Sequence, residues 1–510
     1  MRRSRKAADM DAIFTNLAIG FDAAMTANNI LWVFIGGFLG TVMGMLPGLG
    51  PATGVAILIP ITYNMDPTTA LITMCAVYYG AMFGGSRASI MINTPGDASA
   101  IVSCFDGYPM TKQGKAGEAL AISAIASFIG GTIGMVMLIL LTGPIADYAL
   151  KFGPVEMFAL LMFALTATIT LSEGSLLKGC VAICTGFMLS SIGIDPQTGV
   201  KRFTLGLEDL QEGIDFLVVM IGIYAVCEVF KNLKSINVEH KLDSKSIGKV
   251  WITKDRFMKC LMPMLRNSPL GFLIGVLPGM GGTIATFMSY AMEKSISKTP
   301  ENFGKGEIVG LAAPEASNNA CSCGAMVPLL TLGIPGSGTT AVMLGALMML
   351  GVRPGPVLFA QQPEIAWGVI ASMVVGNVAL LIINLPLAVP LVQLLRIPQR
   401  VMMPLILGMA FMGTYFLNYS SFDFVLLVVF AVFGFLCGKI GIPLPPMVLA
   451  LILGESTEQY FRNAMTMSGG NLGIFAEKPI SAVLLLLAVV SLVYAIIRNR
   501  RQTKLVTVEH

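Results

Sequence analysis

Long apolar segments recur along this chain between residues 30 and 497. Of its 510 residues, 55% are hydrophobic and only 12% are charged, whereas a soluble domain carries about 25% charged residues. One soluble core cannot hide that much apolar surface. The sequence therefore predicts an all-α polytopic membrane protein with roughly ten to twelve spans of about 20 residues each.

Four short motifs occur twice in the same order, at a spacing that never shrinks. This pattern predicts two homologous repeats, and inverted repeats are favoured over parallel ones by analogy with other transporter folds. The matched motifs are residues 44–50 with 275–281, 94–96 with 334–336, 192–194 with 440–442, and 205–206 with 453–454.

Charge clusters delimit the predicted segments. Lys and Arg gather at both termini and in a polar linker, which places all three on the cytoplasmic side. Within the linker, residues 251–265 form a candidate basic amphipathic helix at the membrane interface. Met10 is as natural a start as Met1, so residues 1–9 are either part of the N-terminal segment or an upstream extension, and in the second case the N-terminal charge signal mostly disappears. The predicted segments are 1–29 (N-terminal), 30–230 (repeat 1), 231–267 (linker), 268–479 (repeat 2) and 480–510 (terminal helix and basic tail).

Pro-Gly pairs interrupt apolar segments at matching places in both halves. Such a break frees backbone groups that lipid cannot satisfy, so it survives where it is buried in protein or lines an aqueous cavity. Paired breaks are the best sequence indication of a transporter's binding site, although a kink or tight helix packing is the alternative. The breaks are Pro47-Gly48, Pro95-Gly96, Pro278-Gly279 and Pro335-Gly336.

Hydroxyl, amide and charged side chains cluster around the later break of each half. Arg87 is interpreted either as an anion-facing charge or as a side chain that snorkels from a helix end. Asp97 and Glu315 each follow a proline, and both could be helix N-caps. The predicted substrate-binding residues are Ser86, Arg87, Asn93, Thr94, Pro95, Gly96, Pro335, Gly336, Ser337, Thr339 and Thr340. The predicted cation ligands are Asn93, Thr94, Asn318, Asn319 and Thr339, because Na⁺ prefers hard oxygen atoms.

The sequence lacks the motifs for ATP-driven transport, for catalysis by intramembrane histidines and for a zinc site. Each Gly-Lys pair is followed by Ala, Val, Gly or Ile, so a Walker A motif is missing and an ion gradient remains as the energy source. His240 and His510 lie outside the apolar segments, and nine scattered cysteines lack zinc-site spacing. The sequence therefore predicts no enzyme, no cofactor and no metal beyond a transported cation.

Long motifs resemble one family of membrane proteins. Residues 40–54, 78–97, 275–294 and 314–347 are similar to the large membrane subunit of the tripartite tricarboxylate transporters, the TctA family. The resemblance implies a bacterial inner-membrane secondary transporter that imports a carboxylate such as citrate, typically with Na⁺. It also implies two partners, a small TctB-like membrane subunit and a periplasmic TctC-like solute-binding protein.

Two positions depart from the usual pattern of that family. Residues 86–89 read Ser-Arg-Ala-Ser where Ser-Thr-Thr-Ser is common, and residues 321–323 read Cys-Ser-Cys where alanine-rich residues are usual. Arg87 adds a positive charge close to the predicted anion site. The identity of the substrate is therefore not carried over from citrate transporters. A stand-alone organic-anion exporter or channel is the alternative function.

Overall fold

The computed structural model describes residues 2–46, 49–63, 65–171, 175–232, 247–279, 281–395 and 399–506. Within these ranges the chain is almost entirely helical, and its strands are a single two-residue antiparallel pair. Five of the described helices are long and apolar enough to cross a membrane: Ala27–Met45, Ala116–Ala149, Pro363–Asn384, Phe422–Ile440 and Pro479–Ile497. The predicted all-α polytopic class is confirmed, while the count of ten to twelve spans stays a prediction.

The first half contains ten α-helices in chain order: α1 (Arg2–Ala24), α2 (Ala27–Met45), α3 (Pro51–Thr62), α4 (Pro67–Ile92), α5 (Ile101–Lys112), α6 (Ala116–Ala149), α7 (Pro154–Leu171), α8 (Leu176–Ser190), α9 (Phe216–Met220) and α10 (Cys227–Asn232). A 3₁₀ turn (Ala98–Ala100) leads into α5, and a π-helical segment (Ile221–Val226) joins α9 to α10. Strands β1 (Gly193–Ile194) and β2 (Lys201–Arg202) lie between α8 and α9.

The second half continues the series in chain order: α11 (Lys254–Val276), α12 (Gly281–Ile296), α13 (Ile308–Leu332), α14 (Gly338–Met349), α15 (Pro356–Gln361), α16 (Pro363–Asn384), α17 (Ala388–Leu394), α18 (Gln399–Asn418), α19 (Phe422–Ile440), α20 (Leu444–Met467), α21 (Ile474–Glu477) and α22 (Pro479–Val506). The largest apolar core joins residues of α3, α4, α9, α14 and α20.

The helix pair α2/α4 packs like the pair α11/α13. A Cβ added at Gly84 would lie 2.2 Å from the carbonyl oxygen of Thr41, and one added at Gly324 would lie 2.2 Å from that of Phe272. Glycine is required at such positions because the two backbones touch. Further matched contacts are Gly40 on Val77 with Gly271 on Ser317, and Gly44 on Ala81 with Gly275 on Cys321. These equivalent contacts support the predicted duplication.

The two pairs run in opposite directions. The last turn of α5 lies beside the last turn of α4, because Thr111 donates a hydrogen bond to the carbonyl of Ile90 (2.8 Å). The two helices therefore end on the same side. Just past the end of α5, Gln113 donates to the carbonyl of Lys305 (2.8 Å), which precedes α13. Therefore α4 ends on the side where α13 begins. This geometry supports inverted repeats, although their full extent stays a prediction.

Three sequence expectations need comment. Residues 254–265 form the first turns of α11 and no separate interfacial helix, because α11 runs without interruption from Lys254 to Val276 and contains both Pro263 and Pro269. The motif match of residues 205–206 with 453–454 is not structural, since the first pair lies in an exposed loop and the second in α20. The break at Pro47-Gly48 lies outside the described residues.

A buried carboxylate ties the two halves together. Asp106 on α5 is fully buried. Its Oδ1 accepts hydrogen bonds from the backbone N–H groups of Gly304, Gly306 and Glu307 at 2.7–2.9 Å, and its Oδ2 accepts one from the Tyr290 hydroxyl. The loop before α13 is therefore wrapped around a side chain of the first half.

Replacing Asp106 by Ala is expected to destabilise the protein strongly, because three backbone donors and a hydroxyl lose their acceptor at about 1–3 kcal/mol each. Asp106→Asn retains one carbonyl acceptor and should be milder. Asp147→Ala, at an exposed aspartate, is the control and should change stability by less than about 0.5 kcal/mol. Thermal unfolding in detergent measures the order, and equal melting temperatures for Asp106→Ala and the control would contradict it.

Candidate functional site

A cavity of about 450 Å³ lies where segments of both halves meet. Its lining comes from the start of the 3₁₀ turn before α5, from α7, from the two breaks of the second half, and from the connection of α19 to α20. The lining residues are Ala98, Thr168, Gly279, Gly281, Thr283, Ile284, Pro335, Ser337, Gly338, Ala341, Gly438, Gly441, Ile442, Pro443, Pro445 and Leu449.

The later break of each half has the same backbone course. α4 ends at Asn93 (φ 55°) and α13 ends at Gly333 (φ 69°), both in the left-handed conformation that Gly and Asn tolerate best. The chain then extends through Pro-Gly to Asp97 (φ −143°) and Ser337 (φ −150°), which precede the next helices. Each break therefore turns the chain back and starts a new helix inside the protein.

The earlier breaks also match in their helix ends. Leu46 and Leu277 cap α2 and α11 with φ near −82° and −84° and ψ near 119° and 120°. In the second half, the N–H of Gly279 donates to the carbonyl of Gly336 at 3.1 Å. This hydrogen bond holds the two breaks of that half side by side at the cavity wall.

Three helix N-termini line the cavity. Ala98 begins the 3₁₀ turn of α5, Gly281 begins α12, and Ser337 caps α14. Ser337 and Thr340 form a reciprocal capping box, with N···O distances of 2.8 and 3.2 Å. The first N–H groups of a helix lack intrahelical acceptors and carry partial positive charge. Their convergence makes an environment that favours an anion.

Asn318 supplies an oxygen next to this cavity. Its side chain is 2% exposed, and its Oδ1 has no hydrogen-bond partner among the described residues. A Cβ added at Gly282 would lie 2.4 Å from that oxygen and 3.0 Å from the Cβ of Ser99. An unpartnered buried carbonyl oxygen is costly unless something binds it, which suits a cation ligand.

The other predicted cation ligands are placed differently. Asn319 has an unpartnered Oδ1, while its Nδ2 donates to the Glu315 carbonyl at 3.1 Å. Thr339 is buried next to the cap of α14. Asn93 is exposed, and the Thr94 hydroxyl donates to the carbonyl of Ile92 at 3.2 Å. None of these four residues lines the cavity.

Arg87 lies away from the cavity lining. Its side chain is fully buried and donates to the carbonyls of Phe83 (3.1 Å) and Asn384 (2.5 Å), which joins α4 to α16. It therefore does not snorkel, and its role toward an anion stays a prediction. Ser86 is turned to Ser123 on α6, with 2.8 Å between their hydroxyl oxygens.

The predicted N-cap roles are only half right. Asp97 stands at the N-cap position before the 3₁₀ turn, and its Oδ2 accepts a hydrogen bond from the Ser99 hydroxyl (2.8 Å). Glu315 is not an N-cap, because α13 already begins at Ile308 and continues through Pro314. Its buried carboxylate accepts from the hydroxyls of Ser103 (2.5 Å) and Ser127 (3.3 Å).

Of the predicted substrate residues, Pro335 and Ser337 line the cavity directly. Gly96 and Gly336 are not in the lining but pack closely against the preceding helices. A Cβ added at Gly96 would lie 1.9 Å from the carbonyl oxygen of Gly44, and one added at Gly336 would lie 2.8 Å from that of Gly275. Sequence reasoning missed Ala98, Thr283 and the lining residues between 438 and 449. The sequence signal for the 438–449 region is the repeat match at residues 440–442. No feature of the sequence places those residues next to the Pro-Gly breaks.

Comparisons with known proteins agree with this architecture. Residues 30–449 match the model of the "Tripartite tricarboxylate transporter TctA family". The chain belongs to the TctA family. Membership in this family supports a role as a membrane subunit of a tripartite transporter.

Two proteins of Agrobacterium vitis are relatives of this TctA-family chain. An uncharacterized 52.8 kDa protein in the TAR-I ttuC' 3' region is 41% identical over 495 residues, which cover 97% of this chain and 98% of the relative. An uncharacterized protein in the TAR-II ttuC' 3' region is 41% identical over 234 residues, or 46% of this chain and 97% of the relative. No solved structure matches the chain.

Proposed function

We propose that the chain is the large permease subunit of a binding-protein-dependent secondary transporter that imports an organic carboxylate with a cation gradient, with Na⁺ as the coupling ion. The protein works in the bacterial inner membrane. Its partners are a small TctB-like membrane subunit and a periplasmic TctC-like solute-binding protein. Family membership supports the tripartite setting, and the cavity supports the substrate class.

The convergence of three helix N-termini on one cavity carries this proposal. The described lining residues include no acidic side chain, so the positive ends of the helices act on whatever binds there. A carboxylate would accept hydrogen bonds from the first N–H groups of α12 and α14, near Gly281 and Gly338, and Ala98 lines the same cavity. The nearby Asp97 carboxylate is held by Ser99, and a Cβ added at Gly85 would lie 2.9 Å from its Oδ1, so it faces α4.

Cation coupling is supported by the position of Asn318. Its unpartnered oxygen lies beside Gly282 in the first turn of α12, between Gly281 and Thr283, which line the same cavity. A cation bound there would lie close to the carboxylate and would lower the cost of bringing each charge into the membrane. Binding of either ion would then favour binding of the other, so the doubly loaded state that a symporter must transport would be favoured.

Reconstitution tests the proposal directly. Proteoliposomes with the chain, its small subunit and a carboxylate-loaded binding protein should accumulate carboxylate only with an inward Na⁺ gradient. Asn318→Ala should raise the Na⁺ concentration for half-maximal uptake at least tenfold, whereas Asn232→Ala, far along the chain on α10, should not. Uptake that persists after all ion gradients are collapsed, or equal flux by the chain alone, would refute the tripartite symporter.

A further inference from the structure

The connection between α8 and α9 presents large apolar side chains on an unusual backbone. Phe203 (φ 50°) and Leu205 (φ 52°) both adopt the left-handed conformation, and they are 68% and 87% exposed. This conformation costs a non-glycine residue roughly 1–2 kcal/mol. Strain of this kind persists only where the surroundings enforce it, and it is concentrated at functional positions.

A four-charge network fixes this connection to α20. Arg202 contacts Asp195 (2.5 Å) and Glu458 (2.9 Å), and Arg462 contacts the same two carboxylates (3.0 and 2.5 Å). Hydrogen bonds from the Thr198 hydroxyl and the Gln197 backbone hold the pKa of Asp195 well below its ordinary value. Phe203 and Leu205, called the apolar tip below, therefore project from a segment that ion pairs fix to α20.

The tip lies on the membrane side opposite to the basic linker. The continuous helical segment from Phe216 to Asn232 leads from this connection toward the linker. Its direction is shared by α19, since Gly222 packs near Leu427 and Gly438 lies near Lys231. With the basic linker on the cytoplasmic side, Phe203 and Leu205 face the periplasm.

The surroundings of the tip are acidic. Residues 191–215 contain five acidic and two basic side chains. Glu208, Asp209 and Glu212 are exposed, whereas Arg202 is engaged with carboxylates. Carboxylates beside an apolar tip disfavour insertion into lipid and favour a partner with a basic rim.

We propose that Phe203 and Leu205 form the docking knob for the system's soluble solute-binding protein, whose contacting face has an apolar pocket rimmed by basic side chains. The inference rests on the proposed function, because it needs a tripartite importer. Exposed aromatic and aliphatic anchors on a rigid base are typical of interface hot spots. The acidic residues 208, 209 and 212 steer the encounter.

The experiment uses the complete transporter in proteoliposomes with purified, carboxylate-loaded binding protein. The variant Phe203→Asn/Leu205→Asn retains the backbone, because Asn tolerates the left-handed conformation. We expect the KM for loaded binding protein to rise at least tenfold with little change in maximal uptake. Trp251→Asn, at a residue with 61% exposure on the linker side, is the matched control and should leave KM unchanged.

Two further measurements make the outcome decisive. Neutralising Glu208, Asp209 and Glu212 to Gln, Asn and Gln should slow association and flatten its dependence on salt. A photo-crosslinker at position 205 should capture the purified binding protein, even if the double variant folds poorly. If wild-type uptake needs the binding protein, yet the double variant keeps its KM and position 205 gives no crosslink, the docking inference is overturned. If wild-type uptake does not need that protein, the proposed function itself fails.

Discussion

Ala98→Asp abolishes carboxylate uptake while the protein stays folded: this is the largest effect that we expect. Ala98 is exposed and lines the cavity at the start of the turn before α5. A negative charge there, about 5 Å from a bound carboxylate, costs about 3 kcal/mol at an effective dielectric constant of about 20. Binding should therefore weaken about a hundredfold, whereas an acidic residue at a helix N-terminus is neutral or stabilising for the fold.

Ala98→Asn is the matched control, since it has nearly the same shape without the charge. It should retain much more uptake than Ala98→Asp, and both variants should have melting temperatures close to that of the wild type. The measurements are uptake in proteoliposomes and thermal unfolding in detergent. Equal uptake by the Asp and Asn variants would show that no anion binds near Ala98, and it would remove the main support for the proposed site.

Gly96→Ala is expected to cause the second large loss, through backbone geometry. The new Cβ would lie 1.9 Å from the carbonyl oxygen of Gly44, where ordinary contact begins near 3.4 Å. The clash is with backbone, so no side-chain rotation can relieve it. Overpacking of this kind costs about 1–3 kcal/mol, occasionally more, and the displaced segment carries Ala98 out of the cavity wall.

Gly143→Ala serves as the control for Gly96→Ala. Gly143 lies inside α6, and an added Cβ there would meet nothing within 4 Å. Alanine in a helix interior is favoured over glycine by about 1 kcal/mol, so this variant should be as stable as the wild type and fully active. A Gly96→Ala protein with normal stability and uptake would show that the contact between residues 96 and 44 is not maintained during transport.

The candidate site could be predicted in part from the sequence. Pro-Gly breaks with hydroxyl neighbours are a local signal, and this signal indicates Pro335 and Ser337, which line the cavity. A charge near a break indicates either contact with an anion or snorkelling for Arg87, and only the structure shows that its two terminal nitrogens donate to carbonyls of α4 and α16. The partner carbonyl of Asn384 lies almost 300 residues away in sequence, and no pattern near Arg87 indicates it.

The sequence alone determined the membrane class, the family and the breaks at Pro95, Pro278 and Pro335, because hydropathy, Pro-Gly chemistry and long motifs are local properties. It also indicated the duplication, since short motifs recur in the same order in both halves, and the structure adds the matched glycine contacts. Only the tertiary structure decided which breaks share a cavity, which way Asn318 turns, and that the α19–α20 connection closes the wall. Those features depend on packing between segments that are distant in sequence, where many pairings satisfy the same local preferences.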